Sequence, residues 1–150
     1  MSDETFDFEK MICFALYSTA NAMVRNYSEP LKLSKTTYPQ LLVMTALWGN
    51  NDVSVSQISE RTLFDLGTLT PILKRMEAKG FIVIYQDPSD RRVRKVKLTA
   101  SGNRFKSEAS SIFEIMRCTV SLSKEEQKSI LQVCEKIKKS LNQGNTITES

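Results

Sequence analysis

The chain has 150 residues, of which 41% are apolar and 25% are charged, a balance typical of one soluble globular domain with its own core. It contains no histidine, which excludes serine-protease triads, cysteine–histidine dyads and histidine-ligated zinc. No apolar run approaches the roughly 18 residues of a membrane span, and the acidic start does not resemble a signal peptide, so we expect a cytoplasmic protein that does not bind membranes.

The three cysteines, Cys13, Cys118 and Cys134, lie far apart and form no Cys-x-x-Cys pair. This spacing argues against a zinc ribbon and against a thioredoxin-type motif. In a reducing cytosol we expect all three to be thiols at rest. The sequence therefore predicts no metal and no other cofactor.

Positive charge is concentrated in one quarter of the chain. Residues 71–106 carry a net charge of +7, whereas residues 1–70 carry −3 and the whole chain carries +4. Such a segment indicates a surface for a polyanion such as nucleic acid. A solvated basic face is the plainer interpretation of the charge alone.

Apolar residues at helical spacing predict helices at both ends of the chain. We expect the first helix to be broken by Pro30 and the second to span residues 38–48. The fifth helix begins near Thr99, and the last begins at a capping box formed by Ser123 and Glu126. The apolar stripes are Phe8, Ile12, Leu16, Ala20, Met23 and Tyr27 in the first helix, Phe105, Ala109, Ile112, Phe113 and Met116 in the fifth, and Ile130, Val133, Cys134, Ile137 and Leu141 in the last.

The middle of the chain contains the pattern of two short helices followed by two strands. A capping box of Ser54 with Gln57 starts the third helix, and Gly80 ends the fourth. Residues 81–85 and 94–99 have strand-like patterns and are joined by a charged turn. This order predicts a mainly α fold with a small β-hairpin wing, a winged helix-turn-helix.

Two motifs carry a family resemblance. Residues 65–77 (DLGTLTPILKRME) are similar to the recognition helix of the MarR family of bacterial transcription regulators, and DRR at 90–92 followed by KLT at 97–99 is similar to its wing. The resemblance covers about residues 10–142. It implies that residues 1–150 are a single MarR-type chain of about six helices that forms a homodimer, with dimerisation helices at about 7–33 and 99–142 and the winged helix-turn-helix at about 38–99. A monomer that closes on itself is the alternative.

The resemblance and the charges together predict the surface that binds double-stranded DNA. Hydroxyls and cations of the fourth helix would contact base edges and phosphates. The wing arginines would enter the minor groove of an A·T-rich, pseudo-palindromic operator. The candidate DNA-binding residues are Ser54, Ser56 and Gln57 from the third helix, Thr68, Thr70, Pro71, Lys74 and Arg75 from the fourth, and Asp90, Arg91, Arg92 and Arg94 from the wing.

Within the MarR family, residues 12–17 (ICFALY) and 37–40 (TYPQ) resemble the organic-hydroperoxide-sensing branch typified by OhrR, MgrA and SarZ. That resemblance implies a reactive Cys13 held by two tyrosines of the other protomer, which correspond to Tyr27 and Tyr38. Tyr17 lies one helical turn after Cys13. Phenol donors and a helix N-terminus would favour the thiolate that attacks a hydroperoxide, although a lone cysteine in apolar company is more often a small core residue.

The positions of the first two cysteines carry a further resemblance. Cys118 follows Cys13 at a distance similar to that between reactive and resolving cysteines in the two-cysteine members of this branch. There the disulfide joins the first helix of one protomer to the fifth helix of its partner. The resemblance implies that Cys118 traps the sulfenic acid of Cys13, while Cys134 is better explained as a core residue; for Cys118 too, packing alone is the alternative.

Other functions remain open at this point. The chain could be a MarR-type regulator that responds to a small aromatic ligand and has an inert Cys13. It could also be a thiol peroxidase, although that activity leaves the +7 segment unexplained. A helical interaction module would lack a steep salt dependence on duplex DNA. We expect a regulator and not an enzyme.

Overall fold

The structure, a computed structural model, describes residues 7–144, which fall into two compact units. The first unit extends to Phe113 and the second begins at Glu114. A short 3-10 helix (Phe8–Lys10) is followed by α1 (Ile12–Leu33), α2 (Tyr38–Gly49), β1 (Val53–Ser54), α3 (Val55–Thr62), α4 (Leu66–Ala78), β2 (Ile82–Gln86), β3 (Arg94–Leu98), α5 (Ala100–Val120) and α6 (Lys124–Gly144). The prediction of a mainly α fold with a small β wing is confirmed. None of the helices in this part of the chain is long and apolar enough to cross a membrane.

The core of the first unit is built around α2. This helix is apolar on most of its circumference and therefore suits a central position. Side chains from α3, α4 and the sheet pack with it in one cluster, and each full burial of a large aliphatic side chain stabilises the fold by about 1.5–3 kcal/mol. The fully buried members are Leu31, Leu41, Val43, Met44, Leu47, Ile58, Leu69, Met76, Ile82 and Val96.

Helix α1 continues past Pro30 to Leu33, so the prediction that the proline breaks it is wrong. A proline inside a helix removes one backbone hydrogen bond and costs about 3 kcal/mol or more. Leu31 follows directly and is completely buried in the core. The burial of Leu31 offsets the loss and retains the last turn of the helix.

The starts of α3 and α6 and the end of α4 were predicted from local hydrogen-bonding motifs, and the structure contains the hydrogen bonds of these motifs. Ser54 and Gln57 exchange the two bonds of a capping box at α3, and Ser123 and Glu126 do so at α6. At the end of α4, Gly80 adopts a φ of +74° and its N–H donates to the carbonyl of Glu77 (2.9 Å). Only glycine adopts this conformation without strain, and the bond is part of a Schellman motif.

The wing belongs to a three-stranded sheet, which corrects the predicted two-stranded hairpin. Strands β2 and β3 pair antiparallel with Ile82 opposite Leu98, and β1 pairs with the other edge of β3 through Val53 opposite Val96. Strand β1 has only two residues, too few for an alternating pattern to reveal it. It ties the start of α3 to the wing.

Helix α5 buries the predicted residues with one exception. Phe105, Ala109, Ile112 and Met116 are buried, but Phe113 is 39% exposed. Its ring lies edge-on to that of Tyr27 within the first unit, with 6.3 Å between the centroids. The predicted inward stripe of α5 is therefore correct apart from Phe113.

Candidate nucleic-acid interface and thiol site

Helices α3 and α4 are joined by a tight turn that sets the direction of the recognition helix. Leu63 ends α3 in the left-handed conformation, with φ of +60°. Ser59 Oγ donates to the carbonyl of Phe64 across the turn (2.6 Å), and Asp65 caps α4. These contacts fix the helix-turn-helix independently of any ligand.

The exposed face of α4 carries the predicted contact residues. Thr68, Pro71, Lys74 and Arg75 are exposed, while Thr70 is half-buried at the side of the helix. The face opposite them packs into the core through Leu69, Ile72, Leu73 and Met76. Two cations in the third turn therefore face solvent on a helix whose opposite face is packed into the core.

The first turn of α4 is locked by its own hydrogen bonds. Asp65 Oδ1 accepts from the N–H of Thr68 (2.8 Å), and Asp65 Oδ2 accepts from the Thr68 hydroxyl (2.7 Å). These bonds lower the pKa of the Asp65 carboxyl. The Thr70 hydroxyl donates to the carbonyl of Leu66 (2.7 Å). Asp65 was not among the predicted site residues, although an aspartate three residues before an N–H donor is a recognisable N-cap signal.

Two of the three candidates at α3, Ser54 and Gln57, use their side chains to cap the start of the helix. Ser54 Oγ accepts from the N–H of Gln57 (3.1 Å), and Gln57 Oε1 accepts from the N–H of Ser54 (2.9 Å). Ser56 lies in the first turn of α3 and its side chain is exposed. Ser56 is therefore the α3 candidate whose side chain is placed to contact a ligand.

The wing tip is organised by one ion pair. Arg92 Nε and Nη2 donate to the two carboxylate oxygens of Asp90 (3.0 and 3.1 Å), and the Arg92 N–H adds a third bond to Asp90 (3.0 Å). The guanidinium lowers the pKa of Asp90, and the carboxylate raises that of Arg92. Arg91 and Arg94 are exposed beside this pair. The ion pair at the wing tip thus joins Asp90 to Arg92.

A second polar network lies on the strands next to the wing tip, and no sequence pattern predicted it. The Tyr85 hydroxyl on β2 donates to Asp52, which precedes β1. Lys95 on β3 bridges Asp52 (3.5 Å) and Asp87 (4.0 Å). The network links the three strands through their side chains. Its two members Asp52 and Tyr85 are 33 residues apart along the chain.

This network predicts a late-titrating tyrosine. The hydrogen bond to Asp52 raises the pKa of Tyr85 from 10.0 to about 12 and lowers that of Asp52. The contact therefore persists below the raised phenol pKa and is lost as the pH rises through about 12. An ultraviolet titration should show one tyrosine component near pH 12, absent in Tyr85→Phe and shifted toward pH 10 in Asp52→Asn. An unchanged curve for Asp52→Asn would contradict the assignment.

The predicted reactive cysteine lies at the start of α1. Cys13 is the second residue of the helix and is exposed in this chain. Tyr17, one turn later, is 67% exposed. The N-cap residue Met11 has no side-chain hydrogen bond to the helix, so the positive end of the helix dipole acts on this region without a competing side-chain acceptor.

The structure brings the two predicted tyrosines together. The rings of Tyr27 on α1 and Tyr38 on α2 have centroids 4.8 Å apart. Burial, together with the neighbouring phenol, raises the pKa of Tyr27 above 10.0. Its hydroxyl is therefore protonated at neutral pH and can donate a hydrogen bond.

The other two cysteines belong to the second unit. Cys118 on α5 is exposed, and its Sγ lies 3.9 Å from Glu114 Oε1. Glu114 also pairs with Arg117. Cys134 on α6 is partly buried. Within residues 7–144, no group of three or more cysteine, aspartate and glutamate side chains is arranged to hold a metal ion.

Comparisons with known proteins agree with the winged helix-turn-helix geometry. Residues 36–93 match the profile of the MarR family. The chain is 32% identical over 138 residues to the HTH-type transcriptional regulator MgrA of Staphylococcus aureus, an alignment that covers 91% of this chain and 93% of MgrA. The chain belongs to the MarR family. The likeness extends through both units and beyond the winged helix.

Other MarR-family relatives are similar over most of their length. The organic hydroperoxide resistance transcriptional regulator of Bacillus subtilis (strain 168) is 36% identical over 104 residues, which cover 69% of this chain and 71% of that protein. TtmR of Methylorubrum extorquens (strain PA1) is 33% identical over 129 residues, and the match spans 86% of this chain but 66%, just under two thirds, of TtmR.

A solved structure shows a MarR-family relative on DNA. Reduced AbfR bound to DNA matches with a TM-score of 0.72 and 29% identity, over 87% of this chain and 90% of that one. AbfR is a protein of Staphylococcus epidermidis, and its overoxidized form bound to DNA matches with the same TM-score and 28% identity, over 87% of this chain and 91% of that one. This MarR-family chain is a DNA-binding transcription regulator.

Proposed function

We propose that the chain is a homodimeric regulator that binds a pseudo-palindromic operator and changes its DNA affinity when an organic hydroperoxide oxidises Cys13. Two features of the first unit carry the proposal together. Cys13 is exposed at the start of a helix, and the rings of Tyr27 and Tyr38 lie against each other. The relative from Bacillus subtilis is named for organic hydroperoxide resistance. That name supports the choice of oxidant.

The proposed reading surface consists of α4 and the wing. Lys74 and Arg75 would bind phosphates and Arg91 would enter the minor groove, while the Asp90–Arg92 pair holds the wing tip in shape. Two copies related by a two-fold axis would place two recognition helices in successive major grooves, about 34–36 Å apart. That spacing requires a dimer and a pseudo-palindromic site.

Exposed apolar surface supports the dimer. In the first unit, the apolar stripe that runs from the 3-10 helix into α1 is solvent-facing, with Phe8 63%, Ile12 69% and Leu16 42% exposed. In the second unit, Val133 is 55% exposed and Leu141 66%. Large exposed apolar stripes mark interaction surfaces. We assign residues 7–33 and 99–142 to dimerisation and residues 38–99 to DNA binding.

The proposed chemistry begins with the Cys13 thiolate. It attacks one peroxide oxygen, the O–O bond breaks, the alkoxide leaves and is protonated to an alcohol, and Cys13 becomes a sulfenic acid. Phenols of the partner protomer, Tyr27 and Tyr38, would stabilise the thiolate by donating hydrogen bonds. A Cys118 thiol of the partner then displaces water from the sulfenic acid and forms a disulfide. Each sensor reacts once, so the process is not enzymatic turnover.

Oxidation would act on DNA binding through the dimer geometry. A disulfide requires its two Cα atoms to lie within about 7 Å, so its formation constrains α1 of one protomer against α5 of the other. A shift of these helices changes the separation of the two recognition helices, which must match the DNA repeat. DNA affinity falls as a result.

The test begins with duplexes enriched by the reduced dimer from genomic fragments. Addition of an organic hydroperoxide is expected to weaken binding of the wild type by about tenfold or more, a usual size for coupling between two sites. Cys13→Ser should bind the duplex with and without hydroperoxide alike. Tyr38→Phe should react more slowly, because the thiolate loses a donor.

Non-reducing gels of the same samples test the pairing. A covalent dimer is expected in the oxidised wild type and in the matched control Cys134→Ser, and not in Cys13→Ser or Cys118→Ser. A dimer band in Cys118→Ser would exclude Cys118 as the resolving thiol. Unchanged DNA binding by fully oxidised wild type would exclude the redox switch, and steady peroxide consumption with a reductant would indicate a peroxidase.

A further inference from the structure

The tip of the recognition helix carries a leucine that the core does not use. Leu66 is the first residue of α4 and is 53% exposed. The large apolar residues that follow it on the helix are buried, namely Leu69, Ile72, Leu73 and Met76. Side chains in a helix lean toward its N-terminus. Leu66 therefore projects from the end of α4, beside its capping residue Asp65.

The hydroxyl groups in the first turns have no proton left to offer a ligand. Thr68 Oγ1 donates to Asp65 Oδ2 (2.7 Å), and Thr70 Oγ1 donates to the carbonyl of Leu66 (2.7 Å). A threonine hydroxyl has one proton, so these side chains present only oxygen lone pairs and methyl groups. Gly67, which lies between Leu66 and Thr68, has no side chain. The apolar contact surface at the tip of α4 is consequently the Leu66 side chain, which lies beside hydroxyl oxygens that can only accept hydrogen bonds from a ligand.

One feature of the major groove matches such a surface. The C5 methyl group of thymine is the apolar group that a base pair displays there, and helix-turn-helix proteins place the N-terminal residues of the recognition helix against base edges. Lys74 and Arg75, further along α4, have the charge to anchor the helix on the phosphates. The occupant that fits the leucine is therefore a thymine edge.

We propose that Leu66 determines specificity by packing against the methyl group of a thymine in each half-site of the operator. This inference rests on the proposed DNA-binding surface and names a base that it reads. A leucine that packs on a methyl group gains apolar burial without using a hydrogen bond. It would favour thymine over cytosine at that position of the operator.

The test removes the methyl group from the DNA and the leucine side chain from the protein. The full-length wild type first selects a duplex from a random library, and each thymine of the selected half-sites is then replaced in turn by uracil, which lacks only the methyl group. At one position the wild type is expected to lose affinity about fourfold per half-site, the effect of one buried methyl group. Leu66→Ala should bind the thymine and uracil duplexes equally.

Leu63→Ala is the matched control, because Leu63 is an 82% exposed leucine in the turn just before α4. It should retain the fourfold discrimination of the wild type. Equal discrimination by wild type and Leu66→Ala at every thymine would overturn the assignment, as would a loss in Leu63→Ala as large as in Leu66→Ala. Those outcomes leave DNA binding itself intact, whereas a dimer that binds no duplex overturns both the reading surface and this inference.

Discussion

Alanine at both Lys74 and Arg75 is expected to weaken operator binding roughly a thousandfold, because a dimer loses four charged contacts worth about 1 kcal/mol each. Both side chains are exposed on the face of α4 opposite its buried residues. Arg75 is further held along the helix by its Nε, which donates to the carbonyl of Pro71 (3.2 Å). The loss should therefore come from DNA contacts while the fold is unchanged.

The salt dependence of binding separates this effect from a general loss of charge. Each lost phosphate contact lowers the slope of log affinity against log salt by about 0.9, so the double variant should lose about 3.6 per dimer. Arg91→Ala should lose about 1.8 per dimer, because a guanidinium in the minor groove displaces counterions as a phosphate contact does. The matched control is Lys124→Ala with Lys128→Ala, which removes the same charge from α6 at exposed positions.

Two results would contradict the placement of the reading surface. One is operator binding by the Lys74 and Arg75 double variant at wild-type strength. The other is an equal loss in the Lys124 and Lys128 control at a concentration where that variant is still dimeric, since that would mean that net charge and not position decides affinity. Fluorescence anisotropy over a range of salt concentrations measures both quantities.

Gly102→Ala is expected to lower the free energy of unfolding by about 3 kcal/mol, at the upper end of the usual cost of overpacking. A Cβ at this position would lie 2.2 Å from the carbonyl oxygen of Phe81 and 2.9 Å from a methyl group of Leu98. The N–H of Gly102 donates to Thr99 Oγ1 (3.1 Å), and its carbonyl accepts from Trp48 Nε1 (3.2 Å). The first bond caps the start of α5, and the second ties that start to Trp48 on α2.

Denaturant unfolding of Gly102→Ala and Gly67→Ala measures the effect against a matched glycine. A Cβ on Gly67 meets only a side-chain oxygen of Asp65, at 3.1 Å. Alanine is also the better helix former by about 1 kcal/mol, so Gly67→Ala should stay within about 1 kcal/mol of the wild type. Equal stability of the two variants would show that the backbone at Gly102 moves without cost.

Features that depend on neighbouring residues along the chain were predictable from the sequence. The Ser54–Gln57 capping box and the terminal Gly80 of α4 need only a few successive residues, whose hydrogen-bonding groups and backbone freedom are intrinsic to their types. The buried face of α4 likewise follows from helical spacing. The order of the helices, the wing and the family motifs emerged from such signals.

Features that depend on distant contacts were decided by the tertiary structure. The last turn of α1 remains helical after Pro30 because Leu31 is buried in the core. Strand β1 forms because Val53 pairs with Val96 on β3. The ring contact of Tyr27 with Tyr38 joins two helices.

The same division holds within the recognition helix. The residue types of α4 indicated hydroxyl and cationic contacts to DNA, and its exposed cations fit that expectation. Only the folded geometry shows that the Thr68 and Thr70 hydroxyls donate within the helix, which leaves Leu66 at its tip. A sequence names the groups that can form hydrogen bonds, but which acceptor takes each proton depends on distances that the folded backbone sets.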